Sequence, residues 1–144
     1  MCDYISITRI WQDNDLFMIE VECKTELITV RGKIYTSNEL IDDLRSKIEM
    51  FLSGSEDSVL WQNGIRGDEA TPCVSFFFSH KDKLGHVQVE VFMEIDDGGY
   101  LSSHNCCFYI NTEYGLLYTF RDKLQLLKAN TIGVKVILGS EHNN

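Results

Sequence analysis

Two runs of strict alternation constrain this chain more than any other feature. Over residues 17–24, Phe17, Ile19, Val21 and Cys23 alternate with Met18, Glu20, Glu22 and Lys24. Over residues 86–95, Val87, Val89, Val91, Met93 and Ile95 alternate with Gln88, Glu90, Phe92 and Glu94. A period of two sends the two sets to opposite faces of a β-strand, so each run reads as a strand with one buried face. Further β-branched and aromatic runs at 3–12, 27–35 and 73–80 adjoin them across short turns, among them Asp13, Asn14 and Asp15, and residues 81–85. Such turns are too short for the crossover that parallel strands require, so the pairing is antiparallel.

Two helices interrupt the strands. Thr36 and Glu39 have the spacing of a capping box, in which a hydroxyl and a carboxylate satisfy backbone donors at a helix start. Leu40, Ile41, Leu44, Ile48, Phe51 and Leu52 then fall on one helical side, and Gly54 stands where the helix should end. Asn111 or Thr112 is placed to cap a second helix, with Leu116, Leu117, Phe120, Leu124 and Leu127 as its apolar stripe. Residues 55–71 hold Gly64, Gly67 and a short Val59, Leu60, Trp61 run, which predicts a long, mobile connection with one small strand. Asp96, Asp97, Gly98 and Gly99 suit a turn before a last meander strand at 100–110, and residues 133–138 form one further short strand. The order predicts a single α+β domain over residues 1–144. Its antiparallel sheet has about six to seven strands, with two amphipathic helices packed on one face.

Charge narrows the partners. Among 144 residues, 13 Lys and Arg stand against 22 Asp and Glu, a formal charge of −9. That excess repels phosphate backbones and anionic bilayers, which argues against nucleic acid and membrane partners and leaves a basic protein open. The first residues lack the basic start and apolar run of a signal peptide, and every apolar stretch is broken by Glu, Lys or Asp. Five cysteines without regular spacing, Cys2, Cys23, Cys73, Cys106 and Cys107, match reduced and mostly buried thiols. All of this predicts a soluble, cytoplasmic protein.

Motifs that encode a mechanism are missing from the sequence: it holds no phosphate loop, nucleophile elbow, paired-histidine zinc helix or paired-cysteine knuckle. His80, His86 and His104 with Cys106 would offer zinc ligands, but their spacing matches no familiar metal pattern. Cys106 and Cys107 are adjacent on a strand and so point to opposite faces, which argues for structural thiols over redox chemistry. Glu20 with Glu22, and Glu90 with Glu94, would supply paired carboxylates for acid-base work; a solvated sheet face is the simpler account. Trp11 and Trp61 read as core or edge residues. The outward parity of Glu90 and Glu94 also carries Phe92, and that of Glu20 and Glu22 carries Met18. Acidic groups among exposed apolar ones suit a basic protein partner, the carboxylates steering the encounter and the apolar side chains anchoring it.

The helix segment YTSNELIDDLRSKIEMFLSG, the strand GHVQVEVFMEI and the segment FYINTEYGLLYTFRDKLQLL give the chain a resemblance over nearly its whole length. It resembles the small acidic immunity proteins encoded beside bacterial polymorphic toxins, in particular the WapI-like immunity proteins. The resemblance implies a cytoplasmic protein that binds and neutralises the C-terminal toxic domain of a secreted or wall-associated protein, often a nuclease acting on RNA; the expectation is a binding protein, not an enzyme, with no cofactor. A basic nuclease groove and an acidic binder fit that relation. The expected contact is an acidic, partly aromatic sheet face with Glu20, Glu22, Glu90, Phe92 and Glu94. The 55–71 connection is the other candidate, through Asp57, Asp68 and Glu69. Two alternatives stay open: a small-molecule binding domain or hydrolase with a carboxylate or histidine site, and a module that pairs as a weak homodimer through strand edges instead of remaining monomeric.

Overall fold

A computed structural model describes residues 3–68, 70–99, 104–129 and 131–139. Three strands, β1 (Tyr4–Gln12), β2 (Phe17–Lys24) and β3 (Thr29–Thr36), lead into helix α1 (Asn38–Ser53). Four more follow: β4 (Ser58–Asn63), β5 (Val74–His80), β6 (His86–Glu94) and β7 (Asn105–Glu113). Helix α2 (Tyr114–Lys123) runs on into a 3-10 helix at Leu124–Lys128, and β8 (Lys135–Leu138) closes the order.

The strands form two antiparallel sheets of four, ordered β3-β2-β1-β8 and β4-β5-β6-β7, so the expectation of one sheet of six to seven strands is corrected. The division follows from α1, which separates β3 from β4 and carries the chain to the start of a new sheet. The expected short strand at 133–138 is β8, which adds to the first sheet beside β1. Residues 100–103, the predicted start of the last meander strand, lie outside the described residues, and β7 is described from Asn105.

Both sheets turn an apolar face to one core. Ile5 and Ile7 of β1, Ile19 and Val21 of β2, Phe76 and Phe78 of β5, and Val89 and Val91 of β6 belong to one buried cluster with Ile41, Leu44 and Ile48 of α1 and Leu117 and Phe120 of α2. The helices therefore fill a core that two sheets share, where one sheet face had been expected. Trp61 ties the layers, because its indole N–H donates to the Leu40 carbonyl of α1 at 2.9 Å. At Gly32 of β3 a Cβ would stand 3.1 Å from Met93 Cε of β6, so the missing side chain lets the sheets approach closely there.

The caps differ from the predicted ones in an informative way. Ser37, not Thr36, caps α1: its Oγ accepts from the Leu40 N–H at 3.2 Å. Thr36 is the last residue of β3 and its buried hydroxyl has no partner, so the Thr36 and Glu39 box does not form. Gly54 ends the helix in the left-handed conformation, as its position predicts. At the second helix, strand pairing with β6 continues to Glu113, which takes the cap position that Asn111 or Thr112 was expected to fill. No helix among the described residues is long and apolar enough to cross a membrane.

Candidate interaction face

Parity is right on both alternating strands, yet the expected acidic face does not assemble. On β2, Glu20 stands opposite Lys33 and Glu22 opposite Arg31 across the β3 register, with Met18 opposite Tyr35. Glu22 is held from two sides: the Tyr4 hydroxyl donates to one carboxylate oxygen, and the Arg31 guanidinium donates to the other, Nε at 2.8 Å and Nη2 at 2.6 Å. The Tyr4 hydrogen bond, then Arg31, lowers the Glu22 pKa from the ordinary carboxylate value against the opposing effect of partial burial. Lys135 of β8 adds further positive potential at Glu22. The outer face of the first sheet is thus a mixed-charge ladder.

On the second sheet, two of the three residues expected outside are covered. Glu94 is 1% exposed and Phe92 7% exposed. The chain after β4 folds back over them: Arg66 places its guanidinium 3.6 Å from the Phe92 ring centroid, a cation-π contact. The Glu94 carboxylate accepts from the Cys73 N–H at 2.8 Å and the Gly67 N–H at 2.9 Å. Its role is therefore to fasten the 64–73 segment to the sheet, which corrects the expectation of an exposed contact residue. Asp57, immediately before β4, and Asp68, five residues after it, are both exposed; Glu69 lies outside the described residues.

What the outer face of the second sheet presents is a row that the alternation argument missed. Leu60 pairs with Phe77, Phe77 with Glu90, and Glu90 with Tyr109, one residue from each of the four strands. Leu60 is 48% exposed, Phe77 36% and Tyr109 50%, while Glu90 is half-buried between them. At ~4.8 Å per strand the row is about 14 Å long. A second exposed aromatic group lies on the first sheet, where Trp11 and Tyr35, 45% and 41% exposed, meet edge to face at 6.1 Å beside Met18, while Leu84 is exposed in a turn. A signal for Phe77 was present in the sequence: in three consecutive phenylalanines on a strand, 76–78, the middle one must face away from its neighbours.

Glu90 accepts a hydrogen bond from Cys107 Sγ at 3.3 Å and has no cationic partner among the described residues. Partial burial and then the Glu90 hydrogen bond push the Cys107 thiol up. Cys107 is exposed, contrary to the expectation of a buried thiol, whereas Cys106, on the opposite side of β7, packs against the core. Cys23 and Cys73 are buried, and burial also raises both thiol pKa values.

The other chemical candidates disperse. His80 stacks on Phe51 with centroids 4.6 Å apart, His86 pairs with Asp82 at 2.6 Å, and His104 pairs with Asp97 at 2.9 Å. No group of three His, Cys, Asp or Glu side chains suited to a metal occurs among the described residues. A cleft of about 530 Å³ is lined by Asp42, Arg45, Ser46, Glu49, Arg121 and Asp122. Its charges pair with one another, Arg121 with Glu49 and Asp122, and Arg45 with Asp42. A second, of about 330 Å³, brings Glu20, Arg31, Lys33, Glu94 and Asp96 together, but both Glu94 oxygens already hold backbone donors. Compared with known proteins, the chain matches no family model, no curated protein and no solved structure.

Proposed function

We propose that the chain is a stoichiometric binding protein, an immunity protein that neutralises a basic toxin domain in the cytoplasm, and that it docks through the outer face of the second sheet. The observation that carries this reading is the Leu60, Phe77, Glu90 and Tyr109 row, an apolar strip with a central carboxylate beside the part of the outer face that the 64–73 segment covers. Large apolar and aromatic side chains of this kind supply the desolvated anchors of tight interfaces, and clustered exposure of them on a folded chain marks an interaction site. The net charge of −9 adds attraction toward a basic partner. Relative to the sequence expectation, Glu90 keeps its place in the contact, while Glu20, Glu22, Phe92 and Glu94 leave it.

The test is a pull-down from the native cells at low and high salt, using the tagged wild type, the Phe77→Ser/Tyr109→Ser variant and the Glu20→Lys/Glu22→Lys variant. The expected result is one basic protein in equal amount on the wild type and on Glu20→Lys/Glu22→Lys, and at least about ten-fold less on Phe77→Ser/Tyr109→Ser. Retention unchanged by the double serine variant would remove this face. Failure to retain any protein while the toxin is expressed would overturn the inhibitor reading, and a dimeric mass by light scattering would replace it with self-association.

A further inference from the structure

Resting on that reading, we propose that Glu90 and the two rings beside it form a receptor for one arginine or lysine side chain of the partner. Glu90 stands between Phe77 on β5 and Tyr109 on β7 in direct cross-strand register, so a carboxylate is bracketed by two aromatic rings on one sheet face. A cation placed there donates a charge-assisted hydrogen bond to the carboxylate and is attracted to the ring faces. Glu20 and Glu22 lie opposite Lys33 and Arg31, whereas among the described residues Glu90 has only the weak thiol donor of Cys107. A half-buried carboxylate flanked by two aromatic rings and with no ion-pair partner among the described residues is placed to receive a basic side chain from outside. The chain supplies its own precedent one row away, where the Arg66 guanidinium lies on the Phe92 ring. Arginine fits better than lysine, because its planar guanidinium stacks on a ring while it donates in plane to a carboxylate.

The closing experiment uses a phage-displayed library of random peptides as the probe. It is panned in parallel on the full chain, on Glu90→Gln and on Phe77→Ser/Tyr109→Ser, each checked for native unfolding cooperativity in urea. The expected outcome is enrichment of arginine-containing peptides on the wild type, with retention falling about ten-fold or more on Glu90→Gln and on the double serine variant, and with an arginine-to-citrulline change in the peptide reproducing the Glu90→Gln loss. Peptides that need Phe77 and Tyr109 but bind Glu90→Gln equally well would overturn the cation receptor and leave the docking face standing. Peptides indifferent to both variants, or no enriched peptide at all, would overturn both.

Discussion

Glu94 offers the most exacting test of the fold, because its buried carboxylate has defined partners. Two backbone donors depend on it, Cys73 N–H at 2.8 Å and Gly67 N–H at 2.9 Å, while the Glu94 N–H itself donates to the Cys73 carbonyl at 2.9 Å. Glu94→Ala removes both acceptors. Cys73 is buried, so its N–H is left unpaired at a cost of about 2 kcal/mol; Gly67 is exposed and its N–H turns to water, which costs about 1 kcal/mol. The sum is about 3 kcal/mol, or roughly 9 °C in Tm for a chain of this length. Glu94→Gln keeps one acceptor oxygen, which the buried Cys73 donor claims, so it loses about 1 kcal/mol. Urea unfolding gives the two free energies, with Trp61 as a buried reporter. Amide exchange gives the location: both variants should speed exchange at Gly67, and only Glu94→Ala at Cys73. A Glu94→Ala chain within about 0.5 kcal/mol of wild type, or a Glu94→Gln chain as damaged as Glu94→Ala, would refute the assignment of the carboxylate to these two donors.

Two further outcomes follow from the titrating groups. The folded-state pKa of Glu22 is lowered by Tyr4 and Arg31, so its contribution to stability is fully present above the unfolded carboxylate value near ~4.3 and is lost as pH falls through the lower folded value. Glu22→Gln should therefore flatten the loss of stability below about pH 4.3, and identical acid unfolding curves for variant and wild type would contradict it. Among the described thiols, Cys107 should be alkylated first by iodoacetamide at pH 8, with Cys23 and Cys73 protected until the chain unfolds. Because the Glu90 hydrogen bond helps raise the Cys107 pKa, Glu90→Gln should speed that reaction, read as modified peptide by mass spectrometry.

Which parts of the fold were legible in the sequence depends on how local the determinant is. Parity is a property of neighbouring residues, so the buried faces of β2 and β6 were legible from Phe17 to Cys23 and from Val87 to Met93. The Gly54 stop is equally local. Sheet membership is not: whether β4 joins β3 or starts a new sheet depends on where the 16 residues of α1 deliver the chain. Parity also says which side of a strand a residue takes and nothing about what later covers that side. Phe92 and Glu94 point outward as expected and are buried all the same, because Arg66, Gly67 and Cys73 return over the end of β6. A sequence cue existed in Glu94 itself, an acid between Met93 and Ile95 in an otherwise apolar run, since such a carboxylate usually holds a donor. Leu60, Phe77 and Tyr109 were passed over for the converse reason. Each sits beside inward-facing apolar residues, and a continuous apolar run conceals that every second member is exposed.

The distribution of charge refines what a formal value of −9 means for recognition. Glu22 pairs with Arg31, Asp42 with Lys128 and Arg45, Glu49 and Asp122 share Arg121, and Glu94 is held by backbone amides. Asp57, immediately before β4, and Asp68, five residues after it, are exposed acids outside the four-residue row. At physiological salt the screening length is about 8 Å, so in the proposed docking acids beyond that range would act mainly during approach of a basic partner, while contact would be decided within a few ångströms of the row. In the proposed docking, Glu90 is the acid that would take part in both stages. Its charge would contribute to the approach, and its place between Phe77 and Tyr109 would make the same charge a contact once water is displaced. Net charge would then set how fast a partner arrives, and the four-residue row how long it stays.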